Sequence, residues 1–152
     1  MTNTQTMTSA ETLARQVIAH FEAGEIERIG DLVTEDFVDH GAPPWMPRGR
    51  EAYVGTMRWL KDVLRVRYEV AQVVAQGDWV AARAIVHGVS TSDHLGFPPT
   101  GRPFAMETMH LYVVRDGLLA EHWGVRDELG ALWQCGALPT PAPPPEFLSA
   151  GA

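Results

Sequence analysis

The hydrophobic pattern of this chain changes its period once, near Val66. Before that point, apolar residues recur every three or four positions in three separate segments. From Val66 onward, successive side chains fall into two alternating sets, which is typical of a strand with two different faces. The sequence therefore predicts an α+β domain in which three N-terminal helices cover one face of an antiparallel sheet.

The first predicted helix begins with Ser9 as its cap and ends at Gly24. The second covers Glu25 to Val33, and the third covers about Arg50 to Leu64. Between them, Gly41-Ala42-Pro43-Pro44 interrupts the helical pattern, because proline lacks an N–H group and restricts the residue before it.

Tight turns divide the second half of the chain into strands. Gln76-Gly77-Asp78 leads into a strand from Trp79 to Thr91. Arg115-Asp116-Gly117 joins a strand from Phe104 to Val114 with one from Leu118 to Val125. A short helix from Asp127 to Gln134 is expected to close the domain.

The 152 residues suit a single domain with one core. We expect this domain to span residues 9–136. Residues 1–8 are polar and expected to be flexible, and residues 137–152 are rich in proline and expected to form an extended tail without regular structure.

Composition excludes several partners. The net charge is −7 and the 12 Lys and Arg residues are scattered, so nucleic acid is not expected to bind. No apolar run approaches the ~20 residues of a membrane span, and the N-terminus lacks the pattern of an export signal. The lone Cys135 excludes an internal disulfide framework and suits a reducing compartment, so we expect the protein in the cytoplasm.

Motifs for cofactors and metals are missing from the sequence. It contains no GxGxxG, P-loop, HExxH or GxSxG pattern. The six histidines do not show the i, i+4 spacing that places two metal ligands on one helical face. We expect no cofactor and no metal, and the candidates for chemistry are single acids and imidazoles brought together by the fold.

Several short motifs occur in a recognisable order. They are Asp39-His40, Gly49-Arg50-Glu51-Ala52-Tyr53, Gly77-Asp78, Leu95-Gly96-Phe97-Pro98-Pro99-Thr100-Gly101-Arg102, Asp116 to Trp123, Asp127-Glu128-Leu129-Gly130 and Gln134-Cys135-Gly136. Over roughly residues 10 to 136, the chain resembles the SnoaL-like polyketide cyclase, or ester cyclase, family of the NTF2-like group. This resemblance implies a cone-shaped domain with a pocket between sheet and helices, and a homodimer formed through the opposite face of the sheet.

Asp127 is the first candidate for catalysis. The resemblance implies that the acid following the His-Trp strand is the general acid and base. A carboxylate in an apolar pocket against Trp123 would be costly to ionise, which suits proton transfer near neutral pH. The alternative is that Asp127 caps the helix that follows it.

His110 is the second candidate. It shares one face of its strand with Phe104, Met106, Thr108 and Tyr112, and this mostly apolar set with a few polar groups suits a ligand pocket. The resemblance implies that a histidine near this position helps to hold a developing enolate. The alternative is a histidine whose ring is satisfied by a neighbouring carbonyl group.

Three further positions are expected to reach the pocket. By resemblance, Asp39 and His40 lie at its mouth, although Asp39 before Gly41 also suits a simple Asx turn. Ser90 stands where relatives often carry a histidine, which indicates a different substrate. Asp93-His94 adds a titratable ring to the loop near the expected entrance.

The alternation of the last strand assigns its side chains to two faces. Leu119, Glu121, Trp123 and Val125 are expected to share the inner face with Asp127, and Leu118, Ala120 and His122 are expected to face outward toward a second subunit. Glu121 is expected to pair with Arg83 or Arg102.

The resulting functional hypothesis is a cofactor-independent cyclase that closes a ring in a small apolar, aromatic or polyketide-like molecule by an aldol-type reaction. A hydrolase, hydratase or isomerase of the same fold remains an alternative. A second alternative is a protein that binds a small molecule without catalysis, because one fold serves many functions.

Overall fold

The computed structural model describes residues 9–91 and 98–148. Its helices are α1 (Ser9–Ala23), α2 (Ile26–Gly30), α3 (Arg50–Asp62), α4 (Glu128–Gln134) and α5 (Pro145–Leu148). Its strands are β1 (Val33–Asp39), β2 (Arg67–Gln76), β3 (Trp79–Val89), β4 (Pro103–Arg115) and β5 (Leu118–Arg126). The predicted α+β fold class is confirmed.

Helix α1 forms as its apolar spacing predicts. Ala14, Val17 and Phe21 lie on one face and are buried against the sheet, where Phe21 meets the ring of Tyr68 edge-on at 5.0 Å between centroids. Burying each such large side chain stabilises the fold by about 1.5–3 kcal/mol. Gly24 ends the helix with φ of 75°, a left-handed conformation that glycine adopts without strain.

The second helix is shorter than predicted, because α2 ends at Gly30 and Val33 already belongs to a strand. This strand, β1, was not predicted. It pairs in parallel with β5 and forms one edge of the sheet. Val33 and Phe37 are fully buried in it, and the Phe37 ring contacts the Tyr53 ring of α3 at 4.5 Å.

The five strands lie in the order β1-β5-β4-β3-β2. The pairs from β2 to β5 are antiparallel, as predicted, and consecutive strands are neighbours. The turn between β4 and β5 uses Asp116 and Gly117 with φ of 52° and 78°, the positive values that suit a two-residue hairpin with the twist of the flanking strands.

A bulge in β5 decides which side chains face the helices. Val113 of β4 pairs with Glu121 and Val114 pairs with Leu119, so Ala120 is an extra residue between them. The alternation therefore shifts at Ala120. Beyond the bulge His122 is buried, whereas Val125 is 70% exposed on the other face. Leu119 is buried as predicted, but the faces predicted for Ala120 and the residues after it are wrong for this reason.

The proline-rich tail contains one helical turn, α5, although no regular structure was expected there. A proline at the start of a helix is tolerated because the first N–H group needs no partner within the helix. The α5 side chains Phe147 and Leu148 are 73% and 68% exposed. Apart from Ala137, which packs partly buried against the core, the described part of the tail is exposed.

Candidate active site

A pocket of about 960 Å³ opens between α3, the loop 41–48 and the inner face of the sheet. Most of its wall is apolar, and its buried or half-buried members include Leu60, Val66, Tyr68, Val86, Phe104 and Met106. Five charged residues also contribute to this wall. Asp39 and Arg126 come from the ends of β1 and β5, and the others are Arg48, Glu51 and Glu128. An apolar pocket with a few placed polar groups is typical of a small-molecule site.

Asp39 is held rigidly at the edge of the pocket. Its Oδ1 accepts a hydrogen bond of 2.8 Å from His122 Nδ1 and one of 2.9 Å from the Gly41 backbone N–H. The side chain of Asp39 is 16% exposed and that of His122 only 3%. The second oxygen, Oδ2, has no hydrogen-bond partner within residues 9–91 and 98–148 and is left for a ligand.

A chain of hydrogen bonds continues from Asp39 into the core. His122 Nε2 lies 2.9 Å from His110 Nδ1, and His110 Nε2 lies 3.1 Å from Thr108 Oγ1. The Thr108 hydroxyl in turn lies 2.9 Å from the carbonyl oxygen of Ala84. Both nitrogens of both imidazoles therefore have a partner.

This chain can exist in two states that differ by one proton, and only the first keeps the hydrogen bond from Thr108 to the Ala84 carbonyl oxygen. When the Thr108 hydroxyl donates to Ala84, His110 donates from Nε2 and accepts at Nδ1, so His122 donates from both nitrogens and is an imidazolium ion. When Thr108 donates to His110 instead, each ring carries a single proton on Nδ1. The two states differ by one proton, stored next to Asp39.

Electrostatics favour a charged Asp39 and a neutral His110. Burial alone would raise the pKa of Asp39, but the hydrogen bond and charge of His122, the Gly41 N–H and the charge of Arg126 together hold it below its usual value. Burial, aided by the charges of His122 and Arg126, lowers the pKa of His110 to about 3. Asp39 is thus an ionised carboxylate at neutral pH.

The structure places Asp127 away from this arrangement. Its Oδ1 accepts a hydrogen bond of 2.9 Å from Gly130 N–H, so the side chain caps α4. The residue is exposed and is absent from the pocket wall. The helix cap, which was the alternative interpretation of Asp127, is what the structure shows.

The other predicted site residues divide into three groups. Asp39, Ser90 and Met106 line the pocket, and the Ser90 hydroxyl donates to the Pro98 carbonyl oxygen. Thr108, His110 and Tyr112 are buried beside the pocket but do not line it. Asp93 and His94 fall outside the described residues.

His40 and Trp123 form the third group, on the outer side of the sheet. Their rings stack at 4.3 Å with an angle of 7° between planes, and Trp123 also stacks on Trp79. His40 Nε2 contacts Glu121 Oε2 at 2.8 Å and borders a separate cavity of about 260 Å³. The partner of Glu121 is therefore His40, and Arg83 pairs with Glu107 instead.

Two assignments for the last strand are corrected. His122 and Ala120 were expected to face outward, yet each is 2% exposed and faces the core. His122 is central to the site, and sequence reasoning missed it because of the bulge at Ala120. Arg126 was also missed. It lies four residues after His122 and therefore shares its face of the strand.

Neither a membrane span nor a metal centre is visible in the described ranges. No helix there is both long and apolar enough to cross a bilayer. Within the same residues, no three His, Cys, Asp or Glu side chains converge as metal ligands would. The pocket wall in this part of the chain contains Asp39 as its one aspartate, together with Glu51 and Glu128.

Fold and sequence together define the class of this protein. The sequence model of the SnoaL-like polyketide cyclase family matches residues 11–135. The chain belongs to this family and is an enzyme of the cyclase type. The resemblance given by its short motifs is thereby confirmed.

Several named proteins are similar to this chain over most of its length. Aklanonic acid methyl ester cyclase DauD of Streptomyces sp. (strain C5) is 29% identical over 143 residues, covering 88% of this chain and 89% of DauD. Nogalonic acid methyl ester cyclase of Streptomyces nogalater is 25% identical over 127 residues, covering 79% and 92%. Among solved structures, IdmH from Streptomyces antibioticus is 31% identical with a TM-score of 0.73, over 85% of this chain and 99% of IdmH.

Proposed function

We propose that this enzyme closes a carbocyclic ring by a cofactor-independent, intramolecular aldol reaction in which Asp39 is the general acid and base. One observation carries the proposal. Asp39 is a carboxylate held from behind by His122 and Gly41, with its second oxygen free of partners in the described chain, on the wall of a large apolar pocket. Asp127 lacks this placement.

In the proposed reaction, Asp39 removes one proton from the substrate and later returns it. Asp39 Oδ2 takes a proton from the substrate carbon next to a carbonyl group, and the electron pair of the C–H bond becomes an enolate. The enolate carbon attacks a second carbonyl carbon of the same molecule and forms the new C–C bond. The alkoxide that results takes the proton back from Asp39, so the enzyme returns to its starting state.

The low pKa of Asp39 limits which substrates can react. A carboxylate whose pKa lies below its usual value is a weak base, so efficient transfer requires an unusually acidic carbon. A carbon between two carbonyl groups meets this requirement. We therefore infer a 1,3-dicarbonyl unit at the reacting centre.

The histidines act through Asp39 and have a positioning role. His110 uses both ring nitrogens for His122 and Thr108, which leaves neither for a substrate oxygen. His122 fixes the orientation of the carboxylate through its hydrogen bond to Oδ1.

The substrate class follows from the pocket and from the relatives. The mostly apolar wall suits a large hydrophobic molecule folded into a reactive shape. Relatives in this family are cyclases of aklanonic acid methyl ester and nogalonic acid methyl ester. We take a polyketide methyl ester as the substrate class of this enzyme.

We also propose that the enzyme is a homodimer. The outer face of the sheet exposes a set of apolar side chains, namely Trp79, Met109, Leu111 and Val125. A contiguous apolar surface of this kind is costly in water and marks an interaction site. A second copy with the same apolar face would cover it symmetrically.

Ring closure by variants tests the proposed base. With aklanonic acid methyl ester as the first substrate tried, Asp39→Asn is expected to lower turnover at least ~10²-fold, the usual contribution of a general base. Asp127→Asn, the matched control, is expected to retain turnover within about twofold, because its cap lies outside the pocket. Equal losses in both variants, or a loss only in Asp127→Asn, would contradict the proposal.

A further inference from the structure

Arg126 occupies a position that the acid and base chemistry does not use. It lies on the same face of β5 as His122, and its side chain folds back over Gly124. A Cβ atom at Gly124 would lie 3.5 Å from Arg126 Nη2 and 3.1 Å from His122 Cε1. The guanidinium group therefore lies beside the histidine chain, on the pocket wall, and the missing Cβ leaves room chiefly for the His122 ring.

No carboxylate among the described residues lies within ion-pair distance of the guanidinium, although the charge of Asp39 is near enough to interact with it. Arg83 pairs with Glu107 and Arg115 with Asp36, whereas no hydrogen bond or ion pair holds the guanidinium of Arg126 in the described chain. The charge of Arg126 acts on the pKa of Asp39 and of Tyr68, so it lies near both. However, Oδ1 of Asp39 is already engaged by His122 and Gly41.

A half-buried cation without a partner is costly in an apolar pocket, and an anionic ligand offsets that cost. Guanidinium is planar and presents parallel N–H donors, which match two oxygen atoms held in one plane. The enolate of a 1,3-dicarbonyl group has this shape, since its charge is shared by two coplanar oxygens.

We propose that Arg126 binds both oxygens of the 1,3-dicarbonyl enolate formed when Asp39 removes the proton. The inference rests on the proposed function and adds the group that stabilises its anionic intermediate. Asp39 is neutral once protonated, so the negative charge of the enolate is then the one that faces the guanidinium.

Binding of a chromophoric diketone tests the proposal without any turnover. The probe is 1-phenyl-1,3-butanedione, whose enolate is distinguished from the neutral form by its ultraviolet absorption. The titration uses Asp39→Asn protein, so that the proposed base does not compete for the proton. When the probe is bound to this variant, its pKa is expected to be about 1–3 units lower than that of the free probe, as for an acid beside one opposite charge.

Variants of Arg126 in the same background identify the source of this shift. Arg126→Gln is expected to abolish it, which is a loss of roughly ten- to a thousandfold in enolate affinity. Arg126→Lys is expected to keep less than half of it, because a lysine retains the charge but not the planar pair of donors. Arg67→Gln, an exposed arginine on the other face of β2, is the matched control and is expected to leave it unchanged.

Three results would overturn the inference. The first is an unchanged shift in Arg126→Gln, and the second is a full shift in Arg126→Lys. The third is that the affinity of 2-naphthoate falls in Arg126→Gln while that of the enolate does not, which would assign Arg126 to a substrate carboxylate. None of these results depends on the role of Asp39, so failure here is distinct from failure of the proposed base.

Discussion

Asp39 and His122 lie 83 residues apart in the sequence, and a hydrogen bond of 2.8 Å joins Asp39 Oδ1 to His122 Nδ1. Parallel pairing of β1 with β5 aligns the two residues side by side. The edge strand thus brings the carboxylate to the pocket, and the buried imidazole fixes its direction. Each end of this contact can be tested separately.

Removal of the imidazole is expected to destabilise the fold. His122→Phe keeps a ring in the core but leaves Asp39 and His110 without their shared partner, so we expect a loss of about 3 kcal/mol in the free energy of unfolding. His40→Phe is the matched control, because His40 also contacts a carboxylate but both side chains are 37% exposed. Its expected cost is below about 1 kcal/mol. Chemical denaturation measures both, and equal losses would contradict a structural role for the buried pair.

The buried His110 is expected to make stability depend on pH. Its pKa is lowered from 6.5 to about 3 in the folded protein, so between these values the unfolded chain binds a proton that the folded one excludes. Stability is therefore complete above pH 6.5 and is lost as the pH falls, by up to about 1.4 kcal/mol per pH unit from this residue.

His110→Gln is expected to flatten this dependence between pH 7 and pH 5, a range above that in which carboxylates titrate. His87→Gln, a control at a half-exposed histidine paired with Glu69, is expected to keep the slope of the parent protein. Urea denaturation at several pH values provides the slopes. A slope unchanged by His110→Gln would show that this histidine is not the group responsible.

The sequence alone could predict most of the strands but not the contact between Asp39 and His122. The two-residue alternation from Tyr68 onward and the Asp116-Gly117 turn are local signals, and they placed β2 to β5 correctly. The edge strand β1 carries three acids and one bulged pairing, so its short sequence gave no clear alternation. The contact between Asp39 and His122 requires that strand, and was missed with it.

From Ala120 onward, the side chains of β5 were assigned to the wrong faces for a related reason. Leu119 and Ala120 are adjacent and both are buried, which a regular strand with one solvent face does not allow. The bulge that permits this arises from pairing with β4 and from burial of both sides near the edge strand, and neither is visible in local sequence. His122 and Arg126 therefore became identifiable as site residues only in the folded chain.

The apolar outer face leads to an expected oligomeric state. Sedimentation at micromolar concentration should give about 33 kDa, twice the chain mass of 16.7 kDa. Met109→Glu places a charge in the centre of that face and is expected to produce monomers. Leu129→Glu, at an equally exposed leucine on α4, is expected to remain dimeric. A parent protein that sediments as a monomer would refute the dimer.

Deletion of the residues after Leu138 is expected to leave the fold intact. The described part of this segment exposes its apolar side chains and contributes no buried residue. We expect the melting temperature to change by less than about 2 °C, which corresponds to well under 1 kcal/mol for a domain of this size. A larger decrease in a thermal melt would show that the tail packs on the domain.

Exchange of the substrate's acidic C–H proton with solvent deuterium tests the central claim most directly, because it reports proton removal by the enzyme apart from ring closure. The substrate is incubated in D₂O with each variant, and deuterium uptake is followed by mass spectrometry. Asp39→Asn is expected to slow enzyme-catalysed exchange at least ~10²-fold, whereas Asp127→Asn exchanges at the parent rate. Exchange that survives Asp39→Asn but is lost in Asp127→Asn would contradict the assignment of Asp39 as the base.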